Sequence, residues 1–169
     1  MVALTTNQKG LLAEAAIIKE CIALGIPVAR PLDDEPYDLI LELPVGLARV
    51  QCKTATKKGD VLAVSCRRCR RGPGGFIRRQ YASGEIDVMA AYCAELDTCY
   101  LLPLELSVNR TAVQLRLGPT RNNQQRLINW AKDYEFGARL SALGPIAQLG
   151  ERESGRLEAA GSSPAGSIA

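Results

Sequence analysis

The chain has 169 residues, 21 Lys and Arg against 18 Asp and Glu, a formal net charge of +3 and 47% apolar residues. That composition fits one domain able to bury a core, with a charge too mild to identify a partner. There is no histidine, and the six cysteines come without a signal-peptide pattern. His-metal nucleases and Ser-His hydrolases are therefore excluded, and reduced thiols are expected rather than a disulfide framework.

Residues 8–24 carry Leu11, Leu12, Ala15, Ile18 and Ile22 at helical spacing, with Gly25 as a stop. Glu14 lies inside this helix among Ala13, Ala15 and Ala16, and by pattern alone it reads equally well as a solvated helical glutamate. Ile26 to Val28 reads as a short strand, and Asp33, Asp34 and Glu35 before Pro36 as a solvated acidic turn. Tyr37 to Lys53 follows as two extended apolar segments joined by a turn at Pro44 and Gly46. Residues two apart on a strand share a face, so Gln51 and Lys53 point together and Cys52 points away. A hairpin would return Asp38 beside that pair. A carboxylate, an amide oxygen and an ammonium at one sheet edge form the set a metal-dependent phosphodiesterase needs.

Beyond Lys53 the chain turns basic: Lys57, Lys58, Arg67, Arg68, Arg70, Arg71, Arg78 and Arg79 are opposed only by Asp60. Val61 to Ser65 reads as a strand, and residues 67–79 as a loop whose guanidinium groups suit phosphate contacts and groove-edge readout, or else as a solvated loop. Cys66 and Cys69, with Cys93 and Cys99, read as ordinary cysteines rather than a zinc site, because the second pair is loosely spaced. Glu85 to Cys93 reads as a strand buried on both faces, paired across a short turn with Thr98 to Leu104. Asp87 at its mouth is expected to cap or to pair with an arginine. Leu106 to Leu117 alternates. From Asn122 a helix start is read, with Trp130 and Tyr134 packing that helix on the sheet. After Gly137, Ala, Gly, Ser and Leu dominate, the composition of a weakly structured extension.

Taken in order, Lys9 to Ala15, Gly25 to Val28, Pro36 to Ile40, Arg49 to Ala55, Tyr81 with Gly84 to Asp87, Ala91 to Cys93, Tyr100 to Pro103, Leu115 to Leu117, Asn122 to Gln124 and Trp130-Ala131 resemble the PD-(D/E)xK nuclease superfamily. Within it they resemble the small endonucleases associated with group I introns. The resemblance covers residues 8 to 136. It implies an α/β (mixed α+β) fold, a restriction-endonuclease-like core with a central mixed sheet flanked by helices. It implies catalytic roles for Asp38, Gln51, Lys53 and Glu14, with Asp38, Gln51 and Glu14 holding magnesium (Mg2+). Double-stranded DNA is the implied partner, and cutting both strands implies a homo-oligomer, dimer or tetramer. Gln51 stands where most members carry Asp or Glu. The readings carried are an intron-homing endonuclease, a nuclease resembling Holliday junction resolvases, and a non-catalytic DNA-binding domain with a decayed site.

Two further expectations concern organisation. Residues 1–137 would be the nuclease domain and 138–169 a tail read through a neighbouring transfer RNA gene. Ile146 to Arg152 can be encoded by bases resembling a tRNA D-arm, and Gly161 to Pro164 by bases resembling its T-arm. No apolar run of transmembrane length is present, so no membrane partner is expected and the protein is placed in the cytoplasm, on the nucleoid if the source is prokaryotic.

Overall fold

In the computed structural model, which describes residues 3–43, 46–72, 74–120 and 126–142, one long strand organises the sheet. Pro44 at the expected turn, the helix start at Asn122 and the chain beyond residue 142 lie outside the described residues. So do the side chains of Arg70 and Arg71.

The chain enters through helix α1 (Thr6–Ala23), started by a capping box in which Thr5 Oγ1 accepts from the Gln8 backbone at 3.3 Å and Gln8 Oε1 accepts from the Thr5 backbone at 2.9 Å. Gly25 stops it in the left-handed region, at φ +71°. The strands follow: β1 (Val28–Ala29), β2 (Leu39–Leu43), β3 (Gly46–Lys58), β4 (Val61–Ser65), β5 (Arg67–Gly72), β6 (Gly75–Gln80), β7 (Val88–Cys93), β8 (Thr98–Pro103) and β9 (Ala112–Arg116). A single turn of 3-10 helix spans Leu104–Ser107 and another Ala131–Tyr134, and helix α2 (Phe136–Ala142) closes the described chain.

Strand β3 is 13 residues long and pairs with three others. Its first residues run antiparallel to β2, residues 50–54 run parallel to β7, and residues 55–58 run antiparallel to β4. The result is a seven-stranded mixed sheet that includes β1, β8 and β9, the expected mixed α/β class. One face buries Ala55, Leu62, Val64, Met89, Tyr100, Leu102, Val113 and Leu115. The other buries Leu39, Leu41, Val50, Ala90 and Leu101 under α1 and Phe136. Burying both faces explains why β7 and β8 read as near-continuous apolar runs. Among the described residues no helix is long and apolar enough to cross a membrane.

Four sequence expectations are corrected. The stripe that α1 buries is Ala13, Ile17 and Cys21, whereas Leu11 and Ile22 are 58% and 67% exposed. Small Ala13 lets the helix lie close on the sheet, so close approach rather than side-chain size selects the buried face. Residues 67–80 are not a loop but the β5–β6 hairpin, a separate two-stranded sheet closed by the Gly72 and Gly75 pair. The alternating stretch from Leu106 narrows to β9, because the 3-10 turn consumes its start. Finally, residues 126–130 are not helical: Asn129 accepts from the Arg116 backbone at 2.7 Å and Trp130 bridges Arg116, so this segment lines the β9 edge. Tyr134 still packs against the core. Helix α2 crosses the expected division at residue 137 and carries Leu140 onto the second core.

Candidate active site

The β2–β3 hairpin sets the first half of the site. Leu39 opposes Val50, so Asp38, one residue before β2, falls opposite Gln51 and its side chain shares the face of Gln51 and Lys53. The Asp38 backbone N–H donates to Val50 O at 2.9 Å, fixing that register. Asp38 Oδ2 then accepts from the Cys52 backbone N–H at 2.7 Å and from Gln51 Nε2. Gln51 Nε2 also donates to the Cys52 carbonyl at 3.2 Å. Burial pushes the Asp38 carboxyl up from its ordinary value, against the Cys52 N–H and the charges of Lys53, Arg30 and Arg68.

Helix α1 supplies the second carboxylate. Glu14 sits one residue past buried Ala13, and its carboxyl is pushed up first by burial and then by the Asp38 charge, while Arg30 opposes both. The Arg30 guanidinium donates to Glu14. Asp38, Gln51 and Lys53 are thus brought together at the β2–β3 hairpin, and Glu14 on α1 lies close enough for the Asp38 charge to act on it.

These residues fit a hard cation. The Asp38 carboxylate and the Cys52 carbonyl converge on one amide nitrogen of Gln51, and a half-turn of that amide presents its oxygen in the same direction. Among the described residues no three His, Cys, Asp or Glu side chains cluster as a metal site; the groups within reach of one another at the hairpin are the Asp38 carboxylate, the Gln51 amide and the Cys52 carbonyl. Each offers an oxygen, the donor that magnesium and calcium take.

Lys53 reaches the site from β3, with its ammonium donating to Tyr81 Oη at 2.7 Å and to the Arg67 carbonyl at 3.2 Å. Burial pulls its pKa down, opposed chiefly by Asp38. Lys57 and Lys58, further along β3, are exposed.

The basic hairpin divides into two faces. Arg68 and Arg79 are direct cross-strand partners, a like-charge pairing that needs acids to be tolerated. Arg68 Nη2 lies 3.7 Å from Asp34 and 3.4 Å from the Glu35 carbonyl, while Arg79 Nη1 bonds Glu85 at 2.7 Å. The acidic turn read as solvated therefore holds Arg68. On the opposite face Arg67 and Arg78 are exposed. Asp87 pairs with Arg49 through Nη2 at 2.8 Å and Nε at 2.9 Å. Cys66 is buried and Cys69 exposed.

The sequence reading missed Arg30 and the role of Tyr81. Arg30 had no local signal, since its partner lies 16 positions away. Tyr81 carries no sequence signal for its contact, because nothing local announces the hairpin that delivers it to Lys53, 28 positions away.

A family profile described as PD-(D/E)XK endonuclease matches residues 4–137. Among solved structures, a bacterial homing endonuclease, I-Ssp6803I, matches with a TM-score of 0.66 and 26% sequence identity, over 86% of this chain and 98% of that one. Among curated proteins none matches the chain.

Proposed function

The chain belongs to the PD-(D/E)XK endonuclease family, and on that premise we propose that it is a metal-dependent homing-type endonuclease hydrolysing phosphodiester bonds in duplex DNA at a transfer RNA gene. The observation that carries the reading is the convergence of Asp38, Gln51 and the Cys52 carbonyl, with Lys53 beside them on the same strand face. The structural likeness to a homing endonuclease supports the homing assignment, and the tail sequence supports the tRNA target.

In this reading Asp38, the Gln51 amide oxygen, Glu14 and the Cys52 carbonyl hold magnesium. Bound there, the ion would supply Lewis-acid polarisation of the scissile phosphate and would lower the pKa of a bound water. Lys53 holds a compact positive charge where negative charge grows on the phosphorane, or orients the attacking water. Arg30 keeps the Glu14 carboxylate directed at the site. The exposed Arg67 and Arg78, with Lys57 and Lys58, make the basic surface that meets phosphates. Two copies are needed to cut two strands, so the active form is a dimer or tetramer. The catalytic domain runs from residue 1 through 137 and on to the end of α2 at Ala142, the tail beyond it is tRNA-gene read-through, and the enzyme works in the cytoplasm, on the nucleoid if the source is prokaryotic.

Incubating the protein and magnesium with a plasmid carrying an uninterrupted tRNA gene tests this. Linear product that a chelator suppresses is expected; an intact plasmid, with other duplexes cut, removes the homing assignment. One observation favours a second reading, a non-catalytic DNA-binding domain: the residue on β3 beside Asp38 is Gln51, a neutral amide that gives a cation no charge. Binding without cleavage of any substrate would select it.

A further inference from the structure

We propose that Tyr81 is the positioning residue of Lys53, and that the β5–β6 hairpin thereby sets the ammonium of the site; the proposal rests on the nuclease reading above. Both acceptors of the Lys53 ammonium lie at the base of that hairpin. Arg67, whose carbonyl accepts at 3.2 Å, opens β5, pairs with Gln80 at the end of β6, and Tyr81 follows at once. The hydroxyl of Tyr81 accepts at 2.7 Å. The ammonium is 5.2 Å from the ring centroid, so it sits at the hydroxyl end of the ring and the contact is a hydrogen bond, not a cation held over the aromatic face.

The ring itself is held from two sides. It packs against the core face that carries Lys53, and the residue after it is pinned, because the Ala82 backbone N–H donates to Glu85 at 2.8 Å while Arg79 bonds the same carboxylate at 2.7 Å. A lysine side chain has much rotamer freedom to lose, and the Asp38 charge attracts its ammonium. A fixed hydroxyl on the far side holds the ammonium at one place, where misplacement of a catalytic group is costly in rate. The element that bears the exposed Arg67 and Arg78 is thus also the element that places Lys53, so engagement of phosphates and alignment of the ammonium share one hairpin.

The test is Tyr81→Phe, which keeps the ring and removes only the acceptor. Single-turnover cleavage of the tRNA-gene plasmid should fall by about tenfold, the worth of one charge-assisted hydrogen bond, with DNA affinity unchanged. Parental cleavage by Tyr81→Phe would overturn the proposal. A double-variant cycle that needs no cleavage separates positioning of Lys53 from a general loss: urea unfolding of the parent, Tyr81→Phe, Lys53→Met and the double variant should show favourable coupling between the two positions, and zero coupling overturns the proposal. Should the parent leave every duplex intact, the nuclease reading falls and the unfolding cycle alone decides whether Tyr81 holds Lys53.

Discussion

Gln51 donates its side-chain amide to Asp38, onto the same Oδ2 that receives the Cys52 backbone N–H at 2.7 Å. A neutral amide stands where a carboxylate would give a cation one more negative charge, and the Arg30 and Arg68 charges also fall on Asp38. The site is poorer in negative charge than two acids and a third on β3 would make it. Gln51→Glu should therefore remain active and reach half-maximal cleavage at lower magnesium than the parent. A magnesium titration of cleavage rates checks this; a raised requirement would mean that Gln51 does not face the ion.

Asp38→Asn and Lys53→Ala should each abolish cleavage while leaving DNA binding and folding largely intact, because both groups act on the metal and the transition state rather than on the duplex. Gel-shift affinity beside cleavage rate separates the two effects. Parallel losses of binding and cleavage would instead place these residues in the DNA contact.

Glu14→Gln should come close to the Asp38 variant in its loss of cleavage, since Gln51 leaves Glu14 as the second charged ligand. Ala13→Leu should do similar damage indirectly. Ala13 is buried against the sheet, so a larger side chain should lift α1, cost about 1–3 kcal/mol of stability and withdraw Glu14. Denaturant melts with cleavage assays check both, and parental cleavage by Glu14→Gln removes that residue from the metal set.

Replacing exposed Arg67 and Arg78 by alanine should weaken DNA binding and flatten its salt dependence by roughly 0.9 log unit per lost phosphate contact. Arg79→Ala should act differently, through the hairpin base that Glu85 anchors. Binding constants across a salt series distinguish them: an unaltered slope for the first pair means that face is merely solvated.

Glu85 is held down to about 2 by its Arg79 hydrogen bonds, from an ordinary 4.5. A depressed carboxylate contributes stability above its unfolded value and loses it as pH falls toward the folded value. The stability difference between parent and Glu85→Gln should thus be full above pH 4.5 and shrink as pH falls toward about 2. Asp38 and Glu14, pushed upward mainly by burial, have the opposite sign: their ionisation costs stability as pH rises. Melting temperatures of the three single variants across acid pH report both slopes.

Local rules made the heart of the site legible in the sequence. The two-residue period of a strand puts Gln51 and Lys53 on one face, and a turn between two apolar runs returns Asp38 to them, so those three residues follow from neighbours in the chain. The buried character of β7 and β8 was equally plain, because both faces of those strands are apolar. Tertiary structure decided the rest. Which stripe of α1 is buried depends on how near the helix can lie to the sheet, and small Ala13 prevailed over the larger Leu11 and Ile22. The segment from Arg67 to Gln80 has no apolar alternation to announce strands; in the hairpin the facing Arg68 and Arg79 are met by Asp34, far off in sequence, and by Glu85, six positions on. Arg30 on Glu14 and Tyr81 on Lys53 join residues 16 and 28 positions apart, and no periodicity encodes a contact at that separation. Short-range geometry specifies the ligands along one strand, whereas the charges and hydroxyl that orient them arrive only when helix, sheet and hairpin pack together.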